Sequence, residues 1–146
     1  MSHEVEIVLV EDDPNDAELI TRVFRKHNLA NALVHVKDGA EALDFFFAQG
    51  RYADPPSRGI PKVVLLDLKL PKVSGIDVLR RLKSGEATKT IPVVVLTSSR
   101  EERDLMDAYE LGVNSFVTKP IRFEEFAKVV SELGLYWLMV NRPCDS

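Results

Sequence analysis

Acids, hydroxyls and a lysine stand directly after four short apolar runs. Glu11, Asp12 and Asp13 follow residues 5–10, and Asp67 follows residues 63–66. Thr97, Ser98 and Ser99 follow residues 91–96, and Thr118, Lys119 and Pro120 follow residues 113–117. Carboxylates gathered in one crevice repel each other unless positive charge sits among them. A divalent cation that prefers oxygen ligands, Mg2+ or Mn2+, supplies such charge. Lys119 would neutralise more of it. Together these groups suit phosphoryl transfer. The cation and the ammonium screen the phosphoryl oxygens, a carboxylate attacks, and the Thr97 hydroxyl hydrogen-bonds the transferred group. No histidine base is needed, because a carboxylate is already ionised at neutral pH.

Taken singly, each residue has a plainer reading. The acidic triplet could complement the dipole at the start of a helix. Asp67, ahead of Leu68-Lys69-Leu70-Pro71, could form a turn at a strand end. Thr97 could cap a helix, and Lys119 could be a surface lysine. What argues for chemistry is that all of them fall at the ends of apolar runs.

Elements that would bring these ends together are visible in the pattern. Residues 5–10, 32–36, 63–66, 91–96 and 113–117 form five apolar runs, four of them rich in valine and isoleucine, as buried strands are. Between them lie stretches of helical period: Ala17, Ile20, Val23, Phe24 and His27; Ala42, Phe45 and Phe46; Val78, Leu79 and Leu82; Leu105, Ala108, Tyr109 and Leu111. A fifth stripe runs through Phe123, Phe126, Val130, Leu133, Trp137 and Val140, interrupted by Gly134. The order is strand–helix, five times over. It predicts an α/β fold with a doubly wound, five-stranded parallel sheet covered on both faces. In such a sheet ligands sit beyond the carboxyl ends of the strands, where the acids, hydroxyls and lysine fall. Asp13 before Pro14 is expected to cap the first helix, and Ser74 the third. Residues 49–61, with their prolines and glycines, are expected to be a long surface loop before the third strand.

Whole-chain properties narrow the class. A length of 146 residues fits one domain. With 45% hydrophobic and 29% charged residues, a packed core is expected. A net charge of −4 argues against a surface built for nucleic acid. The single cysteine, Cys144, makes neither a disulfide framework nor a metal cluster and fits a reducing compartment. No apolar run approaches the ~20 residues of a membrane helix, and the N-terminus does not read as a secretory signal. A cytoplasmic protein without nucleic-acid or membrane partners is expected.

In combination these residues resemble the receiver domains of response regulators, of the chemotaxis-regulator type. The resemblance rests on Leu9-Val10-Glu11-Asp12-Asp13-Pro14, on Asp67 with Pro71 and Gly75, on Thr97-Ser98 and on Lys119-Pro120, and it covers residues 5–134. It implies a (βα)5 flavodoxin-like receiver fold over one domain, residues 1–146, with residues 135–146 as a helical extension. It implies a phosphoprotein of a two-component phosphorelay, not an enzyme, that takes a phosphoryl group from a sensor histidine kinase onto Asp67 as 4-aspartylphosphate and later loses it by self-dephosphorylation. Mg2+ would be held by Asp12, by Glu11 through water, by Asp67 and by the backbone carbonyl of Lys69. Asp13 would be an extra acid and helix cap. Thr97 would be the switch hydroxyl, Lys119 the cation that pairs with phosphate, and Lys119–Pro120 a cis peptide. Phe116 matches the aromatic switch position, where a tyrosine is often found and would add a hydroxyl.

Two features resemble a narrower group, the single-domain regulators paired with bacterial and cyanobacterial phytochromes: the long 49–61 connection and the apolar run 135–140. Tyr136 and Trp137 in that run are candidates for a homodimer contact on the face formed by the last two strands and the last helix, or for packing of the last helix on the body. Three other functions compete. A metal-dependent phosphohydrolase with an aspartyl nucleophile commonly carries a second aspartate two residues on, where this chain has Lys69. A flavin or nucleotide module places glycines or hydroxyls after the first strand, where this chain has Glu-Asp-Asp-Pro. A receiver used only as a constitutive interaction module would not need the acids, Thr97 and Lys119 intact.

Overall fold

The computed structural model describes residues 6–27, 33–47, 61–70, 73–97, 108, 110–113, 115–119 and 121–132, with Thr97 described in its backbone alone. In chain order the elements are β1 (Ile7–Val10), α1 (Pro14–Lys26), β2 (Leu33–Val36), α2 (Gly39–Phe46), β3 (Val63–Asp67), α3 (Gly75–Ser84), β4 (Val93–Thr97), β5 (Ser115–Thr118) and α4 (Phe123–Glu132). All five strands are parallel and lie in the order β2-β1-β3-β4-β5. This is the doubly wound sheet that the alternation of apolar runs and helical stripes predicts. Of the stripe between β4 and β5, Ala108 and Glu110 are helical; Leu105 and Tyr109 lie outside the described residues. The same holds for the loop from residue 48 to 60 and for the chain beyond Glu132.

Strand residues point alternately to the two faces, and each face is covered by its own helices. Ile7, Leu9, Val63, Leu65, Val94, Leu96 and Val117 meet Ala17, Ile20 and Phe24 of α1 and Phe126, Val129 and Val130 of α4. Val8, Val10, Val36, Val64, Leu66, Val93 and Val95 meet Ala42 and Phe45 of α2, and Val78, Leu79 and Leu82 of α3. The Phe24 and Phe126 rings, 4.8 Å apart, tie α1 to α4.

Helix starts follow from local chemistry. The Asp13 carboxylate accepts from the amides of Asn15 and Asp16, with Pro14 at the first helical position. The Ser74 hydroxyl accepts from the Asp77 amide and caps α3. Both caps are as expected from sequence. Asp38 caps α2 in the same way, accepting from the Glu41 amide.

Strand boundaries move where local hydrogen bonds claim the amides first. The amide of Ile91 donates to the Thr88 carbonyl at 3.0 Å, so the run 91–96 becomes strand only from Val93. The Val113 amide donates to the Ala108 carbonyl at 3.1 Å, so β5 begins at Ser115. Asp67, expected just past a strand, is its last residue.

Gly75 fixes how α3 meets the end of β3. Its amide donates to the Leu68 carbonyl at 3.0 Å. A Cβ at this position would lie 2.4 Å from both the Asp67 carbonyl oxygen and Leu68 Cα. Gly75→Ala is therefore expected to push the backbone after Asp67 out of place, at a cost of about 1–3 kcal/mol. Urea unfolding should show a lower midpoint with an unchanged slope; an unaltered midpoint would show that the contact relaxes freely.

Candidate functional site

The register of the sheet brings the acids together. Ile7 pairs with Val63 and Leu9 with Leu65. Two residues further on, on the same face, stand Glu11 and Asp67. Val117 pairs with Leu96 on this face, and Lys119 lies two residues beyond it. Lys119 thus starts one strand away from β3, across β4. Its four-carbon stem spans the gap. Lys119 Nζ lies 2.8 Å from Asp67 Oδ2, 2.5 Å from Glu11 Oε1 and 3.3 Å from Asp16 Oδ2.

The other oxygen of each buried carboxylate accepts from backbone. Asp67 Oδ1 accepts from the Lys69 amide at 2.9 Å. Glu11 Oε2 accepts from the Asp13 amide at 3.2 Å. Both carboxylates are buried, whereas Asp12 is exposed at the rim. Carboxylate oxygens of Glu11, Asp12 and Asp67 lie within 4.8 Å of one another. An all-oxygen donor set of this charge fits a hard divalent cation better than a soft one. These three residues could hold such an ion, with Asp12 open to solvent for its entry.

Electrostatics match this crowding. Burial raises the Glu11 carboxyl from 4.5 to about 7, with Asp67 adding to the rise and Lys119 opposing it. Burial works against the Lys119 ammonium, but Asp67 and Glu11 more than offset it and hold the lysine protonated above its ordinary range. In a buried pair, removing one partner strands the other charge, so these three groups form one unit.

The structure places Glu11, Asp12, Asp67 and Lys119 in one cluster, with Lys69 at its edge. The Asp13 carboxylate is engaged as the α1 cap. Phe116 lies half-buried on the opposite face of the sheet, against the α2–α3 layer. The Thr97 backbone closes β4 beside Thr118. The Thr97 side chain, Ser98, Ser99, Pro120 with its peptide bond, Tyr136 and Trp137 lie outside the described residues.

Two residues at the site were not singled out from sequence. Asp16, in the first turn of α1, reaches Lys119; Asp13 and Pro14 start the helix at a point that brings this turn over the site. His35, in β2, has Nε2 2.7 Å from the Glu11 carbonyl oxygen. Beside Lys119 a groove of about 250 Å³ runs along α1, lined by Asp16, Leu19, Ile20, Val23 and Ile121 among others. Leu19, at 47% exposure, is a large apolar side chain left open to solvent there.

Known proteins resemble this chain in sequence and fold. The response regulator receiver domain family matches residues 7–131. A probable methanogenesis regulatory protein, FilR2, of Methanothrix harundinacea is 43% identical over 93% of this chain and 85% of its own length. The solved bacteriophytochrome response regulator AtBRR superposes with a TM-score of 0.84 at 50% identity, over 95% of this chain and 99% of that one. The Mn2+-bound form of response regulator Rcp1 superposes at 0.73 with 38% identity, over 92% and 94%, and a response regulator Rcp1 of Synechocystis is 39% identical over 90% of this chain and 88% of its own length. With a match that takes in all five strands and the acids at their ends, the chain belongs to the response regulator receiver domain family.

Proposed function

We propose that Asp67 accepts a phosphoryl group from a phosphohistidine on a sensor histidine kinase. The observation that carries this reading is the buried Asp67 carboxylate, paired with Lys119 at 2.8 Å and within 4.8 Å of two further acids. In the reaction an Asp67 oxygen bonds to phosphorus as the N–P bond of the donor breaks. The imidazole nitrogen keeps the electron pair, and an acyl phosphate forms. Lys119 meets the charge of the phosphoryl oxygens. Asp67 Oδ1, fixed by the Lys69 amide, and Oδ2, fixed by Lys119, hold the nucleophile in one orientation. A divalent cation on Glu11, Asp12, Asp67 and the Lys69 carbonyl would supply further charge neutralisation when bound. The acyl phosphate is then hydrolysed at the same site.

Phosphorylation adds charge and acceptor oxygens at Asp67. Thr97 would move toward them, and Phe116 would fill the space it leaves. The face of residues 100–111, 113–117 and 122–138 would then rearrange. Output passes through protein contacts in the cytoplasm, with Tyr136 and Trp137 as the candidate homodimer contact and residues 1–146 acting as one domain. The likeness to AtBRR, a bacteriophytochrome response regulator, favours a phytochrome-type kinase as the donor. The groove along α1 offers it apolar footing next to Lys119.

Incubation with Mg2+ and a small acyl-phosphate donor should add roughly 80 Da to the wild-type protein, and nothing to Asp67→Asn. An adduct on both proteins, or on neither, would sink the assignment. Trp137→Ala should shift the sedimentation equilibrium toward monomer, and an unchanged equilibrium counts against the contact.

The pH dependence has a definite sign. The folded protein keeps a proton on Glu11 that the unfolded chain loses between about pH 4.5 and about 7. The metal-free fold therefore loses stability as pH rises through that window. Cation binding requires the ionised carboxylate and releases this proton. Mg2+ affinity should rise from about pH 6 to about pH 8, and Glu11→Gln should flatten the rise. Calorimetry in two buffers of different ionisation enthalpy reads the proton released; none from the wild type would contradict the raised value.

A further inference from the structure

The acidic turn after β1 is anchored from one side by β2. The Glu11 amide donates to the Val36 carbonyl at 3.1 Å, continuing the ladder one residue past β1. Its carbonyl is met by His35 Nε2 at 2.7 Å. Both peptide groups of Glu11 are thus fixed by consecutive residues of one neighbouring strand. The second contact is made by a side chain and falls on the carbonyl of the Glu11–Asp12 peptide, whose plane bears on where the Asp12 carboxylate begins.

The direction of the bond is forced by chemistry. A carbonyl oxygen only accepts, so Nε2 must carry the proton. The neutral Nε2–H tautomer donates, and so does the imidazolium, so the contact does not depend on which is present. His35 pairs with Leu9 across the β1–β2 ladder and lies on the same face as Glu11. From there its ring reaches forward along the strand to the turn.

We propose that His35 is a positioning residue for the cation site. It touches neither the cation nor the phosphoryl group. It acts through the Glu11 carbonyl, orienting the turn that presents Glu11 and Asp12 toward Asp67. The inference rests on the reading that these three acids hold the divalent ion. Partners of this kind behind metal ligands are worth roughly tenfold or more in affinity. Because this one acts through backbone at a partly exposed position, the expected loss is smaller.

Two variants separate positioning from general packing. Glutamine can present an amide N–H near the place of Nε2, whereas leucine fills similar space and donates nothing. His35→Leu should weaken Mg2+ binding by about threefold to tenfold, the worth of one such hydrogen bond. His35→Gln should stay within about twofold of wild type on the same scale. Phosphorylation by the acyl-phosphate donor at saturating Mg2+ should be nearly equal in all three, since Asp67 and Lys119 are untouched. Amide exchange of the metal-free proteins supplies a second readout. The Asp12 and Asp13 amides should exchange faster in His35→Leu, while those of Leu65 and Leu66 stay unchanged. Equal Mg2+ affinity in wild type and His35→Leu would overturn the proposal, as would His35→Gln binding as weakly as His35→Leu. A wild-type protein that binds no Mg2+ would instead overturn the cation-site reading beneath it.

Discussion

One ammonium among three carboxylates organises the molecule. Lys119 reaches across β4 to Asp67 and Glu11, and meets Asp16 from α1 on the way. It joins the last strand to the first and third at the rim of the sheet. Counting Asp12, four acids face a single lysine, so its pairing leaves the rim with excess negative charge. Glu11 and Asp67 are the buried acids among them, and a buried excess of negative charge is met by protonation or by a bound cation. The raised Glu11 value is the first response, and the oxygen cluster of Glu11, Asp12 and Asp67 makes room for the second. The same imbalance bears on function. A site that gathers a cation to balance carboxylates is already equipped to receive a phosphoryl group, which brings its own negative oxygens.

The sheet dictates how a change at Asp67 can be felt elsewhere. Asp67, Glu11 and Lys119 continue the face that packs on α1 and α4. Phe116 lies on the other face, with Val95 and the α2–α3 layer. The core of the sheet between them is filled by buried aliphatic side chains in close register, a packing with little room to deform. The proposed coupling from Asp67 to Phe116 would therefore have to pass round the strand ends. Thr97, last in β4 and paired with Thr118, is where such a path would run. The proposed Thr97–Phe116 switch follows this route, and Gly75, pressed against the Asp67 carbonyl, stiffens the turn on its other side.

Much of this was legible in the sequence because strand ends and periodicity are local signals. Five apolar runs and their intervening stripes predict the parallel sheet, and the residues after four of the runs predict the rim. Asp13 and Ser74 are readable as caps because capping needs only the next three residues. Asp16 and His35 were not legible, since both matter through neighbours brought close by folding. Nothing near His35 in the chain marks it; only the β1–β2 register puts its ring beside the Glu11 carbonyl. The strand starts at Val93 and Ser115 were missed for a similar reason. Ile91 and Val113 are apolar enough for strand, but preceding turns take their amides.

Partner choice is the property least bound to these constraints. FilR2 is described as a methanogenesis regulator, and AtBRR and Rcp1 as response regulators, the first of a bacteriophytochrome. Similarity to them runs through the receiver domain, and in this chain the acids and lysine of that domain sit at strand ends, where register and core packing leave little freedom. What distinguishes one donor kinase from another must lie on surfaces that the core does not specify. The outer side of α1 is such a surface: Leu19 and Val23 border its groove, and Arg22 pairs with Glu18 in solvent. An exposed ion pair of this sort contributes little to stability, so its residues can change without cost to the fold. The α1 groove adjoins Lys119, so under the proposed function substitutions there would alter what can approach Asp67 without altering what Asp67 does. Site chemistry, core packing and a variable surface can therefore share one helix, with Asp13 and Asp16 at its start serving the site, Ala17, Ile20 and Phe24 held by the core, and the solvent-facing positions such as Glu18, Leu19 and Arg22 free to vary.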